Sequence, residues 1–184
     1  MPAKGNSVPV DPIYCLIVEE DRFMASYIKE AVVHFISPAF PLQVKIAKDG
    51  EEALEILASG SSVDILITDL IIPKISGEEL VRKVRKILPQ TIVIALTGYA
   101  SISDAVAILK EGVFDYLPKP LDHERFRDTL NRAVEQIKIL RHKEILSDLS
   151  QLWSISHFLG KNLNPHRVLK EVLEEAIKAI RDVT

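Results

Sequence analysis

Short apolar runs alternate along this chain with segments of helical periodicity, and that alternation narrows the possible folds more than any other feature. Residues 13–18 (IYCLIV), 63–68 (VDILIT), 91–96 (TIVIAL) and 113–117 (VFDYL) read as strands. Val44 and Ile46 alternate with Gln43 and Lys45, as in a strand covered unevenly on its two faces. Between the strands, Met24, Tyr27, Ile28, Ala31, Val32 and Phe35 recur at helical spacing. Residues 51–58 read as a short helix. Residues 78–88 carry Leu80, Val81, Val84 and Ile87 on one helical face, with Pro89 just beyond as a stop. Residues 103–110 form a fourth helical segment capped by Gly112, and a long helical pattern starts near Asp122. Ser37-Pro38, Pro41 and the Asp49-Gly50 turn break the pattern between elements. Five strands alternating with five helices predict an α/β fold, a doubly wound parallel sheet covered on both faces. Strands buried on both sides should read as solid apolar runs, and three of these do.

A length of 184 residues allows one ordinary domain and a remainder. Apolar residues make up 47% and charged residues 27%, within the range of globular proteins, and no run approaches the ~18 apolar residues of a membrane span. The single cysteine, Cys15, lies inside an apolar run; it excludes a disulfide framework and reads as a buried, inert thiol. A cytoplasmic location is expected. The net charge of −3 makes no electrostatic case for nucleic acid or a membrane surface. Residues 1–12 are too polar for the apolar core of a signal peptide and read as a flexible leader.

In open parallel sheets the site forms beyond the carboxyl ends of the strands, where strand order reverses. The first strand ends in Glu19, Glu20 and Asp21. The third ends at Asp69, the fourth at Thr97-Gly98, and the fifth near Lys119-Pro120. Several carboxylates, a hydroxyl and an ammonium therefore converge on one edge. Clustered carboxylates resist joint ionisation unless a cation is present, and oxygen ligands of this hard type suit Mg2+. A carboxylate can itself attack phosphorus to give an aspartyl phosphate; the charge that develops then needs a metal, a lysine and hydroxyl or backbone donors. Taken singly, each residue has a plainer reading: an acidic residue after a strand often only caps the next helix. Their joint occurrence at successive strand ends favours the chemical reading.

The stretches LIVEED (16–21), VDILITDLIIPKISGEEL (63–80), VIALTGYA (93–100) and GVFDYLPKPL (112–121) together resemble the receiver domain of two-component response regulators, a likeness that covers roughly residues 13–137. The resemblance implies a flavodoxin-like sheet of order 2-1-3-4-5 with five helices and a C-terminal helical extension. It implies that Asp69 accepts a phosphoryl group from a sensor histidine kinase. Glu19 and Glu20 then hold Mg2+ together with Asp69 and the backbone carbonyl of Ile71. Thr97 is the switch hydroxyl, Tyr116 the switch aromatic, and Lys119 the partner of the phosphoryl group or the carboxylates. Pro73 and Gly77 shape the loop after Asp69, and Lys119-Pro120 is expected to be cis. The implied role is that of a signalling phosphoacceptor, with only Mg2+-dependent self-phosphorylation and dephosphorylation. Glu20 departs from the family, which usually has Asp there. The extra methylene predicts weaker Mg2+ affinity, or a share of the work for Asp21.

Residues 138–184 are expected to form a helical linker or extension. Phe126, Leu130, Ala133, Ile137 and Leu140 step by four and three, as do Ile145, Leu149, Leu152, Ser156 and Leu159. The polar stretch 141–144 separates the two stripes and shifts their phase, so the helix either bends there or continues with a rotated seam. Residues 149–180 resemble the opening of a GAF domain, with Asn164-Pro165 starting a second helix whose apolar face carries Leu169, Val172, Leu173, Ala176, Ile177 and Ile180. The expectation is a truncated GAF-type output or a pair of dimerisation helices. A homodimer would form through these helices or through the face of the fourth helix, fifth strand and fifth helix. His157 matches a histidine-kinase phosphoacceptor only at Ser-His, and His142 and His166 read as solvated.

Two other functional classes compete. A haloacid dehalogenase-type hydrolase would need a second Asp two residues after the nucleophile, where Ile71 stands. A phosphorylation-independent pseudo-receiver scaffold would not need Asp69, Thr97 and Lys119 together.

Overall fold

The computed structural model describes residues 11–98 and 108–159, together with Lys170 and Glu174. Five strands form one sheet: β1 (Ile13–Val18), β2 (Leu42–Ala47), β3 (Ile65–Asp69), β4 (Ile92–Thr97) and β5 (Asp115–Pro118). Their order is β2-β1-β3-β4-β5, and every neighbouring pair is parallel. The helices are α1 (Arg22–Ile36), α2 (Gly50–Ala58), α3 (Gly77–Ile87), α4 (residues 108–110 among those described) and α5 (His123–Leu159). This is the expected flavodoxin-like topology, with its C-terminal helical extension.

The sheet is sandwiched because its strands are apolar on both faces. Residues of odd number in β1 and β3 (Ile13, Cys15, Ile17, Ile65, Ile67), with Ile92, Ile94 and Leu96 of β4, pack against α1 and α5. The alternate positions Leu16, Val18, Leu66, Val93, Ala95 and Tyr116 pack against α2 and α3, with Ile108 of α4. β3 and β4 are buried at every residue, and β1 at all but one, so the three solid runs are the three central strands. β2 lies at the edge and exposes Gln43, Lys45 and Ile46.

Two helical faces differ from their sequence stripes. On α1 the buried residues are Ala25, Ile28, Ala31, Val32 and Ile36, whereas Tyr27 is 41% exposed. Small Ala25 lets the helix approach the sheet, and Met24 and Phe35 flank the contact only partly buried. On α3 Leu80, Val81 and Val84 are buried but Ile87 is 59% exposed. The backbone leaves helical geometry at Leu88, and that residue turns inward instead.

Residues Asp11–Lys138 form one compact unit; Ile139–Thr184, with Met1–Val10, are grouped in a second. The polar stretch 141–144 lies inside α5, which is helical throughout. On the second unit's part of α5, Ile139, Ile145, Leu146 and Leu152 are exposed. Residues 1–10 of the leader expected over 1–12, most of the helix expected over 103–110, and the GAF-like pattern beyond residue 159 except Lys170 and Glu174 lie outside the described residues, as do the side chain of His157 and all of His166.

Candidate functional site

The strand order reverses between β1 and β3, so the chain ends of these two strands frame a crevice. Glu19 follows β1 directly and Asp69 is the last residue of β3; both residues are buried, Glu19 at 3% exposure and Asp69 at 8%. Lys119, just past β5, crosses to meet them. Its Nζ lies 2.6 Å from Glu19 Oε2 and 2.5 Å from Asp69 Oδ2. Its own backbone N–H donates to the Thr97 carbonyl at 2.7 Å, which ties the end of β5 to the end of β4. The Lys119-Pro120 bond is cis, as expected.

Burial works against the ammonium charge of Lys119. The hydrogen bonds to Asp69 and Glu19 and the pull of their charges outweigh it, holding the pKa above the ordinary lysine value. The lysine thus stays charged and links two buried carboxylates.

The remaining lone pairs of these carboxylates are aimed by backbone donors. Asp69 Oδ1 accepts from the Ile71 N–H at 2.9 Å, and Glu19 Oε1 from the Asp21 N–H at 3.2 Å. Asp21 caps α1 through the Met24 N–H at 2.8 Å, so its carboxylate is committed to the helix. Glu20 is exposed. The loop after Asp69 closes on itself: the Gly77 N–H donates to the Leu70 carbonyl at 3.0 Å. A Cβ on Gly77 would stand 2.2 Å from the Asp69 carbonyl oxygen, so only glycine allows this closure.

Thr97 is 3% exposed, and Tyr116 is 8% exposed. Ala95 of β4 is in register with Tyr116 of β5, so Thr97, two residues on, lies on the same sheet face. Arg125 donates to the Tyr116 carbonyl at 3.0 Å. The structure therefore brings Glu19, Asp69 and Lys119 into contact, sets Thr97 and Tyr116 on the neighbouring strands, and leaves Glu20 at the surface. An open cleft of about 500 Å³ borders the cluster, lined by Glu19, Asp21, Phe23, Met24, Tyr27 and Lys119.

Two networks, one beside this edge and one at the start of β5, were not legible in the sequence. Lys74 pairs with Asp49 and Glu51, and Asp115 binds Thr129 and Arg132. Each joins residues of different elements beyond the reach of helix or strand periodicity, and no local spacing signals such a pair.

The response regulator receiver domain family model matches residues 15–131. Transcriptional regulatory protein GlrR of Escherichia coli (strain K12) is 33% identical over 125 residues, covering 68% of this chain and 27% of that one. Transcriptional regulatory protein CpxR of Klebsiella pneumoniae is 38% identical over 122 residues, 64% of this chain and 49% of the relative. This chain thus spans between a quarter and a half of the length of these two relatives. A crystal structure of a response regulator receiver domain protein from Clostridium thermocellum superposes with a TM-score of 0.62 at 30% identity, over 70% of this chain and 98% of that one. The matched span contains the crevice, its two carboxylates and its lysine, and the chain belongs to the response regulator receiver domain family of two-component systems.

Proposed function

We propose that Asp69 accepts a phosphoryl group and that this event is the signal the chain passes on. The observation that carries the reading is the buried contact of Lys119 with both Asp69 and Glu19 at the strand-order reversal. A carboxylate oxygen of Asp69 forms a bond to phosphorus while the bond from phosphorus to the donor's nitrogen or oxygen breaks, and the leaving group keeps the electron pair. Lys119 is within reach of the incoming oxygens and offsets their charge. The Ile71 N–H fixes the rotamer of Asp69 through Oδ1. The chemistry is phosphoacceptance, with self-phosphorylation and dephosphorylation as its only turnover.

One lysine offsets only one of the two buried carboxylate charges, so the crevice suits a further cation. The donors present are oxygens, and Mg2+ takes one or two carboxylates with waters and phosphate oxygens. Among the described residues no three acidic, histidine or cysteine side chains form a ready-made cage, and an ion sharing its shell with water and phosphate needs none. Glu19 and Asp69 would hold it, with Glu20 and the Ile71 carbonyl completing the protein's share. When bound, the ion neutralises charge on the phosphoryl oxygens.

A phosphoryl group brings roughly −1.5 to −2 charge and strong acceptor oxygens. Thr97 then moves toward them, and Tyr116, on the same face of the neighbouring strand, follows into the space it leaves. A shift from 1:99 to 99:1 needs about 5.5 kcal/mol, which a few charge-assisted bonds can largely supply. The phosphodonor is a sensor histidine kinase in the cytoplasm, received at the cleft beside Lys119, where Phe23 is 88% exposed. Residues 13–137 act as the receiver, and 138–184 as a dimerisation segment or the start of a GAF-type output. The extension of α5 supports a homodimer by its exposed apolar side chains, and the face of α4, β5 and α5 is the other candidate contact. This segment itself makes no nucleic-acid contact.

Incubation with Mg2+ and acetyl phosphate tests the reading. One hydroxylamine-labile phosphoryl group per chain is expected, and none in Asp69→Asn. Sustained phosphate release by many turnovers would point to a hydrolase, and absence of any adduct to a scaffold.

A further inference from the structure

The loop that follows Asp69 is fastened at two places. Near its base Gly77 lies against the Asp69 carbonyl. At its tip stands Lys74, with φ of 68°, the left-handed region that a residue with a Cβ rarely adopts. A residue held there needs something to hold it.

Across it the Ile75 N–H donates to the Pro73 carbonyl at 2.9 Å, closing a tight turn, and a pair of carboxylates from the turn between β2 and α2 anchors its side chain. Lys74 Nζ lies 2.9 Å from Asp49 Oδ2 and 3.0 Å from Glu51 Oε2. Asp49 is buried and doubly committed, since its Oδ1 caps α2 through the Glu52 N–H at 2.9 Å. The next residue, Gly50, packs flat on the loop: a Cβ there would stand 2.9 Å from both Cβ and the carbonyl oxygen of Ile75. The turn is therefore a fixed abutment for the loop tip, in both packing and charge.

The same turn is tied to the other side of the site. The Glu19 N–H donates to the Ala47 carbonyl at 3.0 Å, at the end of β2 and two residues before Asp49. One path of contacts thus runs from Glu19 through the β2 end and the Asp49–Glu51 turn to Lys74, and on along the loop to Ile71 and Asp69. Lys74 is the link in that path which a single substitution can open, because its side chain is 47% exposed and no core packing depends on it.

We infer that Lys74 is a positioning residue for phosphoryl transfer: its ion pairs with Asp49 and Glu51 fix the loop after Asp69, and so set the rates at which Asp69 gains and loses the phosphoryl group. The proposal rests on the phosphoacceptor reading of Asp69. It does not require Lys74 to touch the phosphoryl group. It also says why a side chain stands at this positive φ: a glycine would relieve the strain but lose the ion pairs that anchor the loop.

The test compares wild type, Lys74→Met, Lys74→Arg, Lys74→Gly and Asp49→Asn. Phosphorylation by acetyl phosphate is followed over a range of donor concentrations, and adduct decay is followed after donor removal. A misplacement of about 1 Å at a reacting centre can cost ~100-fold; a loosened loop, correct part of the time, is expected to lower both the limiting phosphorylation rate and the decay rate by roughly 3- to 10-fold. Lys74→Met, Lys74→Gly and Asp49→Asn should share that change, while Lys74→Arg, which keeps the charge and reach, should restore rates near wild type. The double variant Asp49→Asn, Lys74→Met should be no slower than either single one. Thermal midpoints of the Lys74 variants separate kinetics from folding, and Lys74→Gly should combine an unchanged or raised midpoint with altered rates. Wild-type rates in Lys74→Met and Lys74→Gly would overturn the role of Lys74 while leaving Asp69 as acceptor. Absence of an adduct in the wild type would overturn both.

Discussion

Asp49 shows how one carboxylate can serve two structures at once. It accepts the Glu52 N–H and pairs with Lys74, and in that order these contacts hold its carboxyl below the usual carboxylate range. A depressed pKa contributes stability above the unfolded value that is lost as pH falls through the folded one. Asp49 therefore contributes fully at neutral pH, and its contribution fades only on the acid side of the ordinary aspartate range. Asp49→Asn is expected to flatten the acid limb of a stability–pH curve, measured by urea unfolding between pH 7 and about pH 2. Lys119 has the opposite sign: its raised pKa keeps its ion pairs intact until pH rises past the ordinary lysine range. Cys15 is pushed up to about 12, by burial first and then by the charge of Asp64, which agrees with the inert thiol its apolar run suggests. Asp69 and Lys119 were legible as site residues because a rule about whole sheets points at strand ends. Glu20 sits in the same sequence cluster and is exposed, where an ion that keeps part of its water shell can still reach it. Lys74 lies within one of the motif stretches, but its partners are more than twenty residues away, so nothing local marks it.

At the scale of elements, the central strands and their helices could be read from periodicity, whereas of the strand ends only those of β1 (Ile13–Val18) could be read in full. Sequence placed the fifth strand at 113–117, whereas β5 is Asp115–Pro118. Its ends are set by pairing with Ile94–Thr97 of β4, a partner that local composition does not show. The same pairing logic takes β3 one residue further than its apolar run, so that Asp69 itself is the last strand residue. That residue is held by the ladder, which suits a group whose geometry must stay fixed. The clearest sequence signal for a helix-to-sheet contact is the stripe of α5. Phe126, Leu130, Ala133 and Ile137 step by four and three, and all four are buried against the α1 face of the sheet. Phe126 is 1% exposed. Phe126→Ala is expected to lower unfolding free energy by about 3–5 kcal/mol, since the ring's burial is lost and a cavity remains. Denaturant unfolding monitored by circular dichroism measures it; a loss near zero would mean the helix does not anchor there.

For the molecule as a whole, the compact unit Asp11–Lys138 contains every residue assigned to the site. Length and alternation told of a single parallel-sheet domain with a remainder, and the family match to residues 15–131 lies inside that unit. The extension was harder to read, because the exposed Ile145, Leu146 and Leu152 name no partner for the helix. If a second copy is that partner, sedimentation of the chain at rising concentration should show a dimer, and Leu152→Glu should shift it to monomer without changing phosphorylation. An unchanged monomer across the range would remove that contact. In the proposed function every later step of the signal depends on one acyl phosphate. The most direct measurement treats the chain with Mg2+ and acetyl phosphate, reduces it with borohydride, and maps the reduced residue by peptide mass spectrometry. Homoserine at position 69, and at no other aspartate, is the expected result; an unmodified Asp69, or modification elsewhere, would contradict the account.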